Sequence, residues 1–156
     1  SSLDDIVNDV YKEYYSDNSL YTGATPYSSC YGSYNSCRGN DCSQIEVKNG
    51  GNDAVITIKR NGSVYRHAYI KSYGSYIFDV SDGTYNVYFY AGEGWNPNKF
   101  MKYSNVCGNV NGGFVSSESV TKKENLELNS NIWTVTLYSV EDGNFQPASS
   151  NKNEAF

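Results

Sequence analysis

From Ser43 to Tyr138 apolar residues recur at every second position, broken at short intervals by Gly, Asn, Asp and Ser. A period of two puts alternate side chains on opposite faces of an extended chain, so each run reads as a strand with one face to a core. Ile45 and Val47 alternate before Asn49-Gly50-Gly51, and Ala54, Ile56 and Ile58 alternate with Val55 and Thr57. Asn61-Gly62 then marks a type I′ hairpin, whose two central residues both need positive φ. Val64 to Ile70 is the expected return strand, Tyr73-Gly74 the next turn, and Tyr76 to Val80 the next strand. Ser81-Asp82-Gly83 leads into Thr84 to Tyr90, where Tyr85, Val87 and Phe89 share one face and are the expected core. Gly112-Gly113 precedes Phe114-Val115, short strands are expected at Ser119 to Thr121 and Leu126 to Leu128, and Ile132 to Tyr138 is the clearest late strand. Turn signals every eight to twelve residues are the rhythm of a sandwich or barrel, and the expectation is an all-β fold, an antiparallel β-sandwich of about seven or eight strands.

The two ends read differently. Leu3, Ile6, Val7, Val10, Tyr11 and Tyr14 form a stripe of 3.6-residue period, which predicts a short N-terminal α-helix over 3–15. Ser2 suits its N-cap, and Asp4 and Asp5 suit the positive end of its dipole. Such a helix either packs on the sandwich or docks on a neighbouring subunit. Residues 16–42 lose all periodicity and are rich in Ser, Asn and Gly, with Pro26 among them. A loop region of that length needs something to fix it. The strands then fill 43–146, and the polar tail 147–156 is expected on the surface. One domain, 1–156, accommodates all of this.

Four cysteines supply the fixing: Cys30, Cys37 and Cys42 within the loop region, and Cys107 far beyond it. A zinc site is the alternative, but the ligand spacing fits loosely and the lone His67 sits inside a strand pattern. Disulfides are the preferred reading, with Cys37–Cys42 a local staple and Cys30–Cys107 a long closure among three possible connectivities. Such bonds imply an oxidising compartment, hence an exported chain.

Composition narrows the function classes. Of 156 residues 15% are aromatic, 16 of them Tyr, and the net charge is −5. An acidic chain repels phosphate backbones, which argues against nucleic acid as a partner. No apolar run approaches the roughly 18 residues that span a bilayer, so no membrane span is expected in this chain. His67 reads as a strand residue on the face of Tyr65 and Tyr69. Neither a Gly-x-Ser-x-Gly elbow nor a His-Glu-x-x-His motif occurs. Asp17-Asn18 and Asn40-Asp41 read as turn chemistry rather than a calcium loop. The expectation is a chain that is not an enzyme, with no catalytic residues, metal or cofactor. The distinctive stretch is Gly92-Glu93-Gly94-Trp95-Asn96-Pro97-Asn98-Lys99. Read as a loop on a rigid sandwich, it offers Trp95 for stacking and Asn96, Asn98 and Lys99 as donors to a glycan or a protein. The competing reading folds Trp95 back as a plug of the sandwich's open end. Seven tyrosines within the first 34 residues, Tyr11 to Tyr34, suit either a satellite core or a surface for self-association.

The run Asp82-Gly83-Thr84-Tyr85-Asn86-Val87-Tyr88-Phe89-Tyr90, followed by Gly92-x-Gly94-Trp95-Asn96-Pro97-Asn98-Lys99 and then Gly112-Gly113-Phe114, resembles a family of uncharacterised bacterial domains over about residues 20–156. The Gly-Thr-Tyr piece by itself recurs in many sandwiches. That family lies at the C-terminal end of envelope or exported proteins and carries no established activity. The resemblance implies a bacterial, secreted or cell-surface location. Cysteines at positions like Cys37 and Cys42 fit it too, leaving Cys30 and Cys107 as an added pair. Two functions follow as expectations: a binding or adhesion domain for glycan or protein at the cell surface, or a structural subunit of an extracellular assembly or filament that uses the N-terminal helix and the Tyr-rich segment.

Overall fold

The computed structural model of the chain describes residues 2–3, 6, 15, 18–104, 107–129, 134–138 and 148–156. Among the described residues eight strands form two sheets: β1 Cys42–Lys48, β2 Ala54–Arg60, β3 Ser63–Ile70, β4 Ser75–Ser81, β5 Gly83–Ser104, β6 Gly108–Leu128, β7 Thr134–Tyr138 and β8 Ala148–Ser149. Two one-turn helices, α1 Ser28–Tyr31 and α2 Lys152–Ala155, complete the described elements. The smaller sheet has the order β4-β1-β7 and the larger β3-β2-β5-β6-β8. The all-β sandwich of about seven or eight strands read from the alternation is the observed class, with eight described. One pairing departs from a purely antiparallel scheme, because β7 lies parallel to β1, Ile45 opposite Val135.

The hairpin turns fall where Gly and Asn allow them. Asn61 and Gly62 have φ of 53° and 81°, the left-handed pair that a type I′ turn between β2 and β3 requires. The inner face of the large sheet meets the small sheet in one apolar core. Ile45, Val47, Phe78 and Val80 pack there against Ile56, Ile58, Ala68, Ile70 and the expected Tyr85, Val87 and Phe89. Tyr65 departs from the His67–Tyr69 face. An irregularity in the β2–β3 register at Ile58/Lys59 turns it inward, where its ring tilts on Tyr85 at 5.5 Å.

The outer face of the large sheet is covered as well. Val55, Tyr69, Tyr88 and Tyr90 point outward and meet Ala24, Tyr27, Trp95, Met101, Val110, Phe114, Ala155 and Phe156 in a second core. Three segments build this cover. The first is the loop region around Tyr27. The second is the far half of the β5–β6 hairpin, whose register slips after Ala91, Asn96 and Phe100. Each slip adds local twist and bends the pair back over the sheet. The third is the tail. It was expected on the surface, but it docks: β8 pairs with Thr121 and Lys122, Thr57 donates to the Ala155 carbonyl at 2.7 Å, and Phe156 is 2% exposed. Its two terminal apolar residues explain the difference, since burying a Phe side chain contributes about 2 kcal/mol or more.

The stretch 92–99 is likewise strand, not loop, and the short pieces expected at 119–121 and 126–128 belong to the single strand β6. The cysteines pair as Cys30–Cys107 and Cys37–Cys42, the pairing favoured from the sequence. The long bond ties α1 to the far end of the β5–β6 hairpin. Of the expected helix 3–15 only Leu3, Ile6 and Tyr15 are described, and the rest of it, with Ile132 and Trp133 of the late strand, lies outside the described residues.

Candidate functional site

Trp95 does not present a stacking face. It is 2% exposed, and its ring meets Tyr69, Phe114 and Tyr27 edge-on or tilted at 5.2 to 6.3 Å. Two glycines make room for this packing. A Cβ on Gly112, which holds φ of +113°, would lie 2.7 Å from the Trp95 ring. A Cβ on Gly92 would lie 2.4 Å from that of Phe114. Trp95 is therefore a pin of the second core, and the reading of its ring as an exposed platform is corrected. The other residues of that stretch serve the same fold. Asn96 accepts from the Asn98 N–H at 2.9 Å in a local turn, and Asn98 is exposed. Lys99 donates to the Phe114 carbonyl at 2.6 Å and pairs with Glu118 at 2.9 Å.

Glu118 is a structural hub. It accepts from the Tyr90 hydroxyl at 2.6 Å and from Lys152 of α2 at 3.1 Å, as well as pairing with Lys99. Burial pushes its carboxyl up, but the hydrogen bonds from Tyr90, Lys99 and Lys152 outweigh that and hold it below the usual carboxylate range. Burial and the Glu118 carboxylate together drive the Tyr90 hydroxyl far up, so it stays protonated.

His67 is committed too. Its Nε2 accepts from the Tyr27 N–H at 3.0 Å, and its ring stacks on Tyr27 at 5.7 Å. Burial lowers its pKa to about 4, against a smaller opposing hydrogen bond to the Thr25 main chain. The imidazole is thus neutral at ordinary pH and its lone pair is occupied. Asp53 is bound by Tyr69 at 2.5 Å, by the Ser72 N–H at 2.8 Å and by Ser19. Among the described residues no three His, Cys, Asp or Glu side chains cluster as a metal centre.

One concave feature among the described residues lies where the second core meets solvent. A cleft of about 320 Å³ opens between the β2–β3 turn and the far end of the hairpin. Its size is within the range that takes small ligands. Its apolar lining comes from the Cys30–Cys107 disulfide, Tyr31, Val64 and Phe156. Its polar lining comes from Lys59, Lys102, Ser63 and Ser104. Lys102 donates to the main-chain oxygen of Phe156, and the Lys59 ammonium stands 5.7 Å above the Tyr88 ring. Burial lowers the Lys59 pKa first and the neighbouring Lys102 charge second, while Glu154 opposes both. Two cations thus share one opening in a chain whose net charge is −5.

Nothing in the alternation pattern joins these residues. Lys59 is visible in sequence only as half of the basic pair Lys59-Arg60 beside the Asn61-Gly62 turn. Lys102 reaches it because the hairpin bends back. Compared with family models, with curated proteins and with solved structures, the chain finds no match in any of the three.

Proposed function

We propose that the chain is a non-enzymatic binding domain of the cell surface or extracellular space, and that it recognises a glycan or protein ligand through the cleft bounded by Lys59, Lys102, Tyr31 and the Cys30–Cys107 disulfide. The observation that carries this reading is the cleft itself: polar donors and apolar groups lining one opening at the rim of a disulfide-tied core. Such clefts bind by shape and orient by a few polar groups. The titratable side chains most suited to chemistry, His67 and Glu118, are occupied in holding the fold. Two disulfides suit an oxidising, extracellular setting, and no helix among the described residues is long and apolar enough to cross a membrane. The test is a panel of glycans and peptides screened by amide chemical shifts. Hits should move Tyr31, Ser63, Val64 and Ser104. Hits that leave those residues still, or an empty screen, would count against the reading.

A second reading, a structural subunit of an extracellular assembly, draws on one observation. Leu3 and Ile6 are 74% and 52% exposed, although both fall on the apolar stripe of the N-terminal segment. Light scattering of the chain with and without residues 1–15 tests it. A concentration-dependent oligomer lost on truncation would favour assembly, and a monomer in both forms would remove it.

A further inference from the structure

Resting on the binding reading, we infer that the cleft takes an acidic sugar, its carboxylate held between the Lys59 and Lys102 ammonium groups and its ring against Tyr31 and the Cys30–Cys107 disulfide. Both lysines line the same opening, and their charges are close enough for Lys102 to disfavour the charged form of Lys59. An anion between them relieves that repulsion. Donors remain for it: an ammonium has three N–H bonds, and Lys102 spends one on the Phe156 main chain. Ser63 and Tyr31 line the same opening and carry hydroxyls that suit a sugar's. The rest of the surface limits the ligand further. A net charge of −5 repels the most densely charged polymers, so two local cations suit a ligand with no more than one carboxylate per sugar rather than a polyphosphate or a heavily sulfated chain.

The experiment titrates the full chain with an oligogalacturonate and, separately, with the same oligosaccharide methyl-esterified at its carboxyls. Amide and lysine side-chain resonances provide the readout. The acid should move Tyr31, Ser63, Val64, Ser104 and both ammonium groups. The ester should bind roughly tenfold more weakly or worse, as expected when a charge-assisted hydrogen bond is lost. Lys59→Gln should weaken the acid to a similar degree, Lys59→Arg should retain it, and unchanged Tyr27 and Trp95 resonances should confirm that each variant folds. Ester and acid binding equally at these residues would overturn the carboxylate inference and leave the binding reading standing. A Glu-rich peptide that moves the cleft while the oligogalacturonate does not would overturn the sugar. A cleft unmoved by acid, ester, neutral glycans and peptides alike would overturn the inference together with the reading beneath it.

Discussion

The main-chain N–H of Tyr27 donates to Nε2 of His67 across 3.0 Å, joining the loop region to β3 inside the second core. That bond needs a neutral imidazole. Protonating Nε2 would remove the acceptor and place a charge in an aromatic site with Tyr27 and Tyr31 as ring neighbours.

The consequence is an acid-side loss of stability. The His67 pKa falls from 6.5 to about 4 on folding. Between those values the unfolded chain holds the proton and the native chain does not, so the stability at neutral pH declines as pH drops through that window. The span corresponds to about 3 kcal/mol. Urea unfolding at pH 7 and pH 4.5 should show most of this loss, and His67→Gln should flatten the slope there. The carboxylates of Glu118 and Glu154, both held below their usual range, act on the acid side of it. Their contributions are present above about pH 4.5 and are lost as pH falls further. A slope unchanged in His67→Gln would refute the assignment.

Trp95→Ala should unfold the second core rather than merely weaken a ligand. Truncating a buried aromatic of this size costs about 3–5 kcal/mol. Denaturant midpoints would reveal it, and a variant within about 0.5 kcal/mol of the parent, as for a surface change, would return Trp95 to the role of an exposed platform.

Gly112 offers a controlled version of the same test. Gly112 and Gly108 both hold positive φ, at 113° and 79°, but a Cβ at Gly108 meets open space while one at Gly112 meets Trp95. Gly112→Ala should therefore cost more than Gly108→Ala by about 1 kcal/mol or more, the usual scale of overpacking. Equal costs would mean that backbone strain alone matters at both positions.

The two disulfides should differ in weight. Cys30–Cys107 spans 77 residues and Cys37–Cys42 only 5. In the loop-entropy model the long bond contributes about 4 kcal/mol and the short one about 2 kcal/mol. Replacing each pair by Ser and comparing thermal unfolding checks the order. The long-bond variant should also lose part of the apolar lining of the cleft.

Much of the sandwich was legible because a period of two survives wherever one face of a strand is buried and the turns carry Asn-Gly or Asp-Gly. Tyr85, Val87 and Phe89 follow that rule into the inner core. Tyr88 and Tyr90, on the opposite face, did not announce a second core, because alternation cannot say whether the outer face is wet or covered. The cover comes from long-range placement: Tyr27 from the loop region, Trp95 from a bent hairpin, Phe156 from the tail. Gly, Asn and Pro around Trp95 looked like loop residues for the same reason that they are useful in a strand with shifted register: they tolerate bends and close approach. The cleft was illegible on similar grounds, since Lys59 and Lys102 lie 43 positions apart in the chain and meet only through that bend.

The most direct measurement compares three proteins against one oligogalacturonate by calorimetric titration: the parent chain, Lys59→Gln, and Trp95→Phe, which keeps an aromatic in the second core. If recognition resides in the cleft, the parent and Trp95→Phe should bind within about twofold of each other, as expected for independent sites, while Lys59→Gln binds roughly tenfold more weakly. Binding that survives in Lys59→Gln and disappears in Trp95→Phe would contradict the account and move recognition back to the tryptophan.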